Sequence, residues 1–111
     1  MPESAENPPR PIVNRARTAD AAFIRQQFDE LKIEAYLEAR ELRSVVRISR
    51  PPRVDHNQPP GTMSQLVDVL DASGTRVAEF HQYLLPDGSI GASGRRDPKG
   101  VLVGGVYYRT L

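Results

Sequence analysis

Residues 19–43, ADAAFIRQQFDELKIEAYLEARELR, decide how the rest of the chain is read. Ile24, Phe28, Leu31, Ala35, Ala39 and Leu42 recur at steps of three and four, so they share one stripe of a 3.6-residue helix. Thr18 stands where a cap belongs, and Asp20 lies in the first turn, facing the positive end of the helix dipole. Neither glycine nor proline interrupts the run, and Ala, Leu, Glu, Arg and Gln dominate it. The stretch predicts one long amphipathic helix from Ala19 to Arg43. Its end is open: residues 44–49 read as a further helical turn or as a short strand, and Arg50-Pro51-Pro52 stops either one.

The charges along this helix are sorted. Glu30, Glu34, Glu38 and Glu41 flank the apolar stripe on one side, and Arg25, Lys32 and Arg43 flank it on the other. The far side carries Phe23, Ile33 and Leu37, and a second apolar side implies a second cover. A helix of this length runs to about 37 Å, longer than the roughly 30 Å breadth of so small a core. The expectation is a homodimer through the helix, with Phe23, Ile33 and Leu37 touching the partner. A self-paired coiled coil fits less well, because Phe28, Ala35 and Leu42 at one core position leave Glu38 at the other.

On the N-terminal side, Met1 to Arg17 reads as a disordered arm. It has four prolines, three arginines (Arg10, Arg15, Arg17) and only Ile12 and Val13 to bury. On the C-terminal side, residues 51–62 form a proline-rich linker holding His56. From Ser64 the period changes to two. Residues 65–70 and 76–85 read as strands joined by the Asp71–Thr75 turn, with Ala78, Phe80, Gln82 and Leu84 on one face and Val77, Glu79, His81, Tyr83 and Leu85 on the other. Pro86–Ser89 is a tight turn, and Ile90–Gly100 reads as an ordered loop. Val101–Val103 and Val106–Arg109 flank Gly104-Gly105, a two-residue hairpin signal. The fold class is α+β: the long helix packed on a four-stranded antiparallel meander, one domain over 18–111.

Composition excludes several function classes. The 111 residues carry a net charge of +1, which does not indicate wholesale binding of nucleic acid. There is no cysteine, which removes disulfide scaffolds, thiol catalysis and Cys–zinc sites and fits a cytoplasmic location. No apolar run reaches membrane-spanning length, and no secretory pattern opens the chain. Two histidines, His56 and His81, are too few and too far apart for a His-rich metal site, so no metal or cofactor is expected.

The densest polar cluster is Pro86–Gly100. Ser93, Arg95, Arg96, Asp97 and Lys99, spaced by glycines, with His81, Tyr83 and Arg109 nearby, form a candidate surface for an anionic ligand or a protein partner. The function read from this is non-enzymatic binding. The alternative is catalytic. Pro86-Asp87 followed by Asp97-Pro98-Lys99 resembles the PD-(D/E)xK signature of restriction-like nucleases. That resemblance implies metal held by Asp87 and Asp97 and water activated with the help of Lys99. It departs from the family in its glycine-rich spacing and in Pro98, which is poor in a central strand.

Because the arm has so little to bury, a chain starting at Arg17 should melt within a few degrees of the full chain in differential scanning calorimetry. A large loss would show that Ile12 and Val13 dock on the fold.

Overall fold

The structure is a computed structural model that describes residues 16–91 and 95–110. The arm up to residue 15 and Ser93 lie outside the described residues. One long helix on a four-stranded antiparallel meander is not what forms. The sheet has six strands and is mixed, and the helical part is two short helices. In chain order the elements are β1 (Arg17–Thr18), α1 (Ala21–Glu30), α2 (Ile33–Glu38), β2 (Arg43–Arg50), a 3₁₀ turn (Val54–His56), β3 (Met63–Leu70), β4 (Arg76–Leu84), β5 (Asp97–Val103) and β6 (Val106–Arg109).

Packing explains the broken helix. Asp20, not Thr18, is the cap, and its carboxylate accepts from the Phe23 N–H at 2.8 Å. After Glu30 the chain turns through Leu31 and Lys32, and Lys32 takes a left-handed conformation at φ 55°. In an unbroken helix Ile33 would lie about 140° away from Phe28, off the buried stripe. The turn brings it back: Ile33 is 3% exposed and shares a core with Phe28, Val67, Val69, Ala78 and Phe80. Leu37 packs against the same core, whereas Leu31 and Ala35 are left exposed. A left-handed non-glycine residue costs about 1–2 kcal/mol. Burying one Ile contributes about 1.5–3 kcal/mol, so Ile33 with Leu37 outweighs the strain.

This arrangement reverses the roles assigned to the far side of the helix. Phe23 stacks edge-to-face on Tyr108 at 5.1 Å, Ile33 is core, and Leu37 lies along the core. Of the three, Ile33 is buried and Phe23 and Leu37 are partly covered by their own chain. Helix α2 ends where Arg40 adopts φ 62° and the N–H groups of Glu41 and Leu42 both donate to the Tyr36 carbonyl. This is a tight C-cap of the kind glycine usually makes. Residues 44–49 then continue as strand, as β-branched Val45, Val46 and Ile48 favour.

The strand order is β1-β6-β5-β4-β3-β2, antiparallel throughout except for β1, which runs parallel to β6 with Arg17 opposite Tyr108. Two segments therefore join the sheet beyond the expected four strands: the end of the arm, and residues 44–49, which the sequence leaves open between helix and strand. β5 also starts earlier than expected, at Asp97. Pro98 is tolerated there because the ladder is irregular: Glu79 pairs with Gly100 and Phe80 with Pro98, which leaves Lys99 as an extra, bulged residue. The Gly104-Gly105 turn has φ of 56° and 81°, as its hairpin requires. No helix among the described residues is long and apolar enough to cross a membrane.

The helices cover one face of the sheet, where Phe28 meets Phe80 edge-to-face at 6.4 Å. The opposite face has no helix among the described residues, and it carries Ser64 and Asp68 of β3, Glu79, His81 and Tyr83 of β4 and Arg109 of β6.

A broken helix and a continuous one bury different residues. Ile33→Ala should cost about 2–5 kcal/mol in urea unfolding. Leu31→Ala should stay within about 0.5 kcal/mol, and Lys32→Gly should stabilise by up to about 1 kcal/mol. Equal costs at Leu31 and Ile33 would contradict this geometry.

Candidate functional site

Strand alternation sets two carboxylates side by side on the open face, since Asp68 of β3 and Glu79 of β4 are directly paired. Like charges in that relation repel, and Glu79 is fully buried. Three arginines compensate. Arg109 Nε lies 2.8 Å from Glu79 Oε2, and Arg76 Nη1 lies 3.0 Å from Glu79 Oε1 and 3.1 Å from Asp68 Oδ1. Arg47, at the register shift in β2, reaches Asp68 at 3.2 Å and Glu79 at 3.5 Å. The Tyr107 hydroxyl donates to Glu79 Oε1 at 3.1 Å. Burial, then the charge of Glu79, push the Tyr107 pKa far up, so its phenol remains a donor. Gly100 makes room for this cluster, because a Cβ there would stand 2.7 Å from the Tyr107 hydroxyl and 2.9 Å from Glu79 Cγ. The cluster is structural, and it fixes Arg109 at the rim of a groove.

That groove, of about 240 Å³, crosses the open face beside the cluster. Ile48 and Leu66 give it an apolar floor. Ser64, His81 and Thr110 are its neutral polar groups, and Arg50, Lys99 and Arg109 are its cations. No Asp or Glu among the described residues lines it. Ser64 Oγ and His81 Nε2 are hydrogen-bonded at 2.8 Å. Lys99 reaches the groove from its bulge and is tied to Asp97 at 3.0 Å. Burial first, then the charge of Lys99, push the His81 pKa below its ordinary 6.5, with Asp97 opposing and His56 adding slightly. The neutral imidazole is therefore favoured at pH 7. Its ring meets Tyr83 edge-on at 4.7 Å, and the Tyr83 hydroxyl is hydrogen-bonded to His56 Nδ1 at 2.7 Å.

The candidate residues divide between two cavities. His81, Lys99 and Arg109 line the groove just described. His81, Tyr83, Arg95, Arg96 and Asp97 line a second cavity of about 270 Å³, together with Arg25, Gln82 and Gly91. Within it Arg96 is occupied. Its guanidinium pairs with Glu34 at 3.0 Å and lies over the Phe80 ring at 5.2 Å, and its carbonyl accepts from Arg25 at 2.9 Å. Arg96 thus ties both helices to the sheet, and one member of the acidic helix ridge is its partner. Arg95 is exposed. Arg50, Ser64 and Thr110 were not foreseen. The parity of β3 could have placed Ser64 on the face of His81, but Arg50 was read only as a stop signal.

Asp97 and Lys99 are in contact, but Asp87 is not brought to them. Asp87 sits in the turn beyond Leu84, accepting from the Ser89 hydroxyl at 2.6 Å and the Ser89 N–H at 2.9 Å, bonds that hold its pKa low. Asp97 pairs with His81, three strand residues before that turn, a separation of about 10 Å or more. Comparison with protein-family models, with curated proteins and with solved structures finds no match.

Gly100→Ala should lower stability by about 1–3 kcal/mol, because the added methyl must displace Tyr107 or Glu79. Glu79→Gln should cost about 3 kcal/mol, since three guanidiniums then face a single carboxylate. Chemical denaturation measures both, and a neutral Gly100→Ala would mean that Tyr107 does not lie over that backbone.

Proposed function

We propose that this domain is a non-catalytic binding module that takes an anionic group, phosphate or carboxylate, on the open face of its sheet. One observation carries the reading. Five adjacent strands each place one polar side chain in a single groove that no Asp or Glu among the described residues lines: Arg50 from β2, Ser64 from β3, His81 from β4, Lys99 from β5 and Arg109 from β6. Three cations drawn together on a partly apolar floor repel one another, and an anion between them relieves that repulsion through charge-assisted hydrogen bonds. Lys99 and Arg109 are each steadied from behind by a carboxylate, Asp97 and Glu79, while Arg50 has no ion pair among the described residues. A held cation loses less side-chain entropy on binding than a free one.

Catalytic readings draw less support. Ser64 and His81 stand at the distance of a nucleophile and its base. The acid nearest to orient that histidine, Asp97, is engaged by Lys99. The nuclease reading needs Asp87 and Asp97 on one cation, and their positions on the hairpin keep them apart.

Sulfate, whose charge is constant across the range of interest, is a suitable probe by NMR titration. Arg50→Ala and Lys99→Ala should each weaken binding about tenfold, in a salt-sensitive way, and Arg95→Ala should leave it unchanged. An anion beside His81 stabilises the imidazolium and raises its pKa, against Lys99, Arg50 and Arg109 and with Asp97; Tyr83 and His56 also face the ring. Binding then takes up a proton. Affinity should be flat above the bound-state pKa and rise as pH falls through the window down to the depressed free-state value. His81→Gln should remove that rise. Binding indifferent to both Arg50→Ala and Lys99→Ala would sink the proposal.

A further inference from the structure

We infer that the anion held in this groove is the backbone of a single-stranded nucleic acid, whose bases lie on the ring ridge beside it. The inference rests on the anion-binding reading above and adds two observations to it. The first is extent. Arg50 belongs to the outermost long strand and Arg109 to the fifth strand of the sequence β2-β3-β4-β5-β6, four inter-strand steps or about 19 Å apart at the backbone. A ligand that meets both, with Lys99 between, carries charge at several points along its length, as a phosphodiester chain does. The second is the ridge. His81, Tyr83 and His56 form a row of rings on the same face, with His81 and Tyr83 at 4.7 Å, Tyr83 and His56 at 6.0 Å, and the row pinned by the 2.7 Å bond from the Tyr83 hydroxyl. Immobilised, part-exposed rings beside a cationic track are what unpaired bases stack on. Bases in a duplex have no free faces to offer, so a single strand is favoured.

The sheet also argues against the main competitor, an acidic peptide added as a further strand along β2. That edge is exposed along its whole length, but its ladder is interrupted by the register shift between Val46 and Ile48 and ends at Pro51-Pro52. Both features discourage strand addition. The cations, moreover, point into the face rather than along the edge. The net charge of +1 is compatible with binding through so few contacts. Three phosphate contacts give a modest salt dependence, a slope of log K against log salt near −2.

The test is fluorescence anisotropy on the whole chain with a labelled oligothymidylate of about 12 nucleotides, a length within the usual span of one small domain. Saturable binding is expected, with a salt slope near −2 that loses about 0.7 in Arg50→Ala. Tyr83→Ala should weaken the oligonucleotide about tenfold, while Tyr83→Phe, which keeps the ring, should retain most of the affinity. Thermal melts of each variant exclude loss of folding as the cause. Sulfate binding without oligonucleotide binding overturns this inference and leaves the anion site standing; absence of both overturns both. Equal affinity for the matching duplex, or preference for a polyglutamate peptide, also overturns it.

Discussion

A carboxylate buried in a β-sheet has to be answered, and here the answer organises a whole face. Glu79 is fully enclosed on β4 and directly beside Asp68, so its charge would be intolerable alone. Arg47, Arg76 and Arg109 arrive from β2, β4 and β6, and Tyr107 adds a neutral donor. β2, β4 and β6 supply the partners of Glu79, and β5 gives up a side chain at Gly100 to make space. Replacing such a cluster with apolar residues can leave stability unchanged, so its value is better sought in what it positions. It holds Arg109 at one wall of the groove and keeps the face polar where helices would otherwise be needed to cover it.

The other face follows a different rule, and there packing decided against local propensity. Residues 19–43 are helix formers with no internal breaker, and nothing in their propensities asks for an interruption at Lys32. The interruption forms because a short helix, turned, buries Ile33 and Leu37 against Val67, Val69 and Phe80, whereas a straight one buries Leu31 and Ala35. The two apolar sides of one predicted helix are thus accommodated by a bend within the chain. The same event frees Arg43–Arg50 to become the outermost long strand, which brings Arg50 to the groove.

What was legible in the sequence, and what was not, divides along these lines. The two-residue period from Ser64 placed β3 and β4 correctly, put Glu79, His81 and Tyr83 on one face, and located the Gly104-Gly105 hairpin. Those signals are local and repeat. β2 was ambiguous because Val45, Val46 and Ile48 follow directly on a helical pattern, and the choice between helix and strand depended on pairing with β3. β1 is two residues long and has no period to read. The start of β5 was hidden by Pro98, which is acceptable only because Lys99 bulges beside it. The site shows the same division. His81, Lys99 and Arg109 were named, but the groove also needs Arg50, Ser64 and Thr110, and these are joined to the others only by strand order.

The parallel contact between β1 and β6 joins the first described strand to the last, whereas every other pairing in the sheet links strands that are neighbours in the chain. Loop-closure entropy makes it the costliest pairing to form for its size, and only two residue pairs reward it. The order of assembly follows from this. The antiparallel hairpins come early, and the pairings between distant parts of the chain, β1 with β6 among them, follow. The five strands that line the groove belong to the early, local part, so the open face can be complete while β1 is still apart from β6.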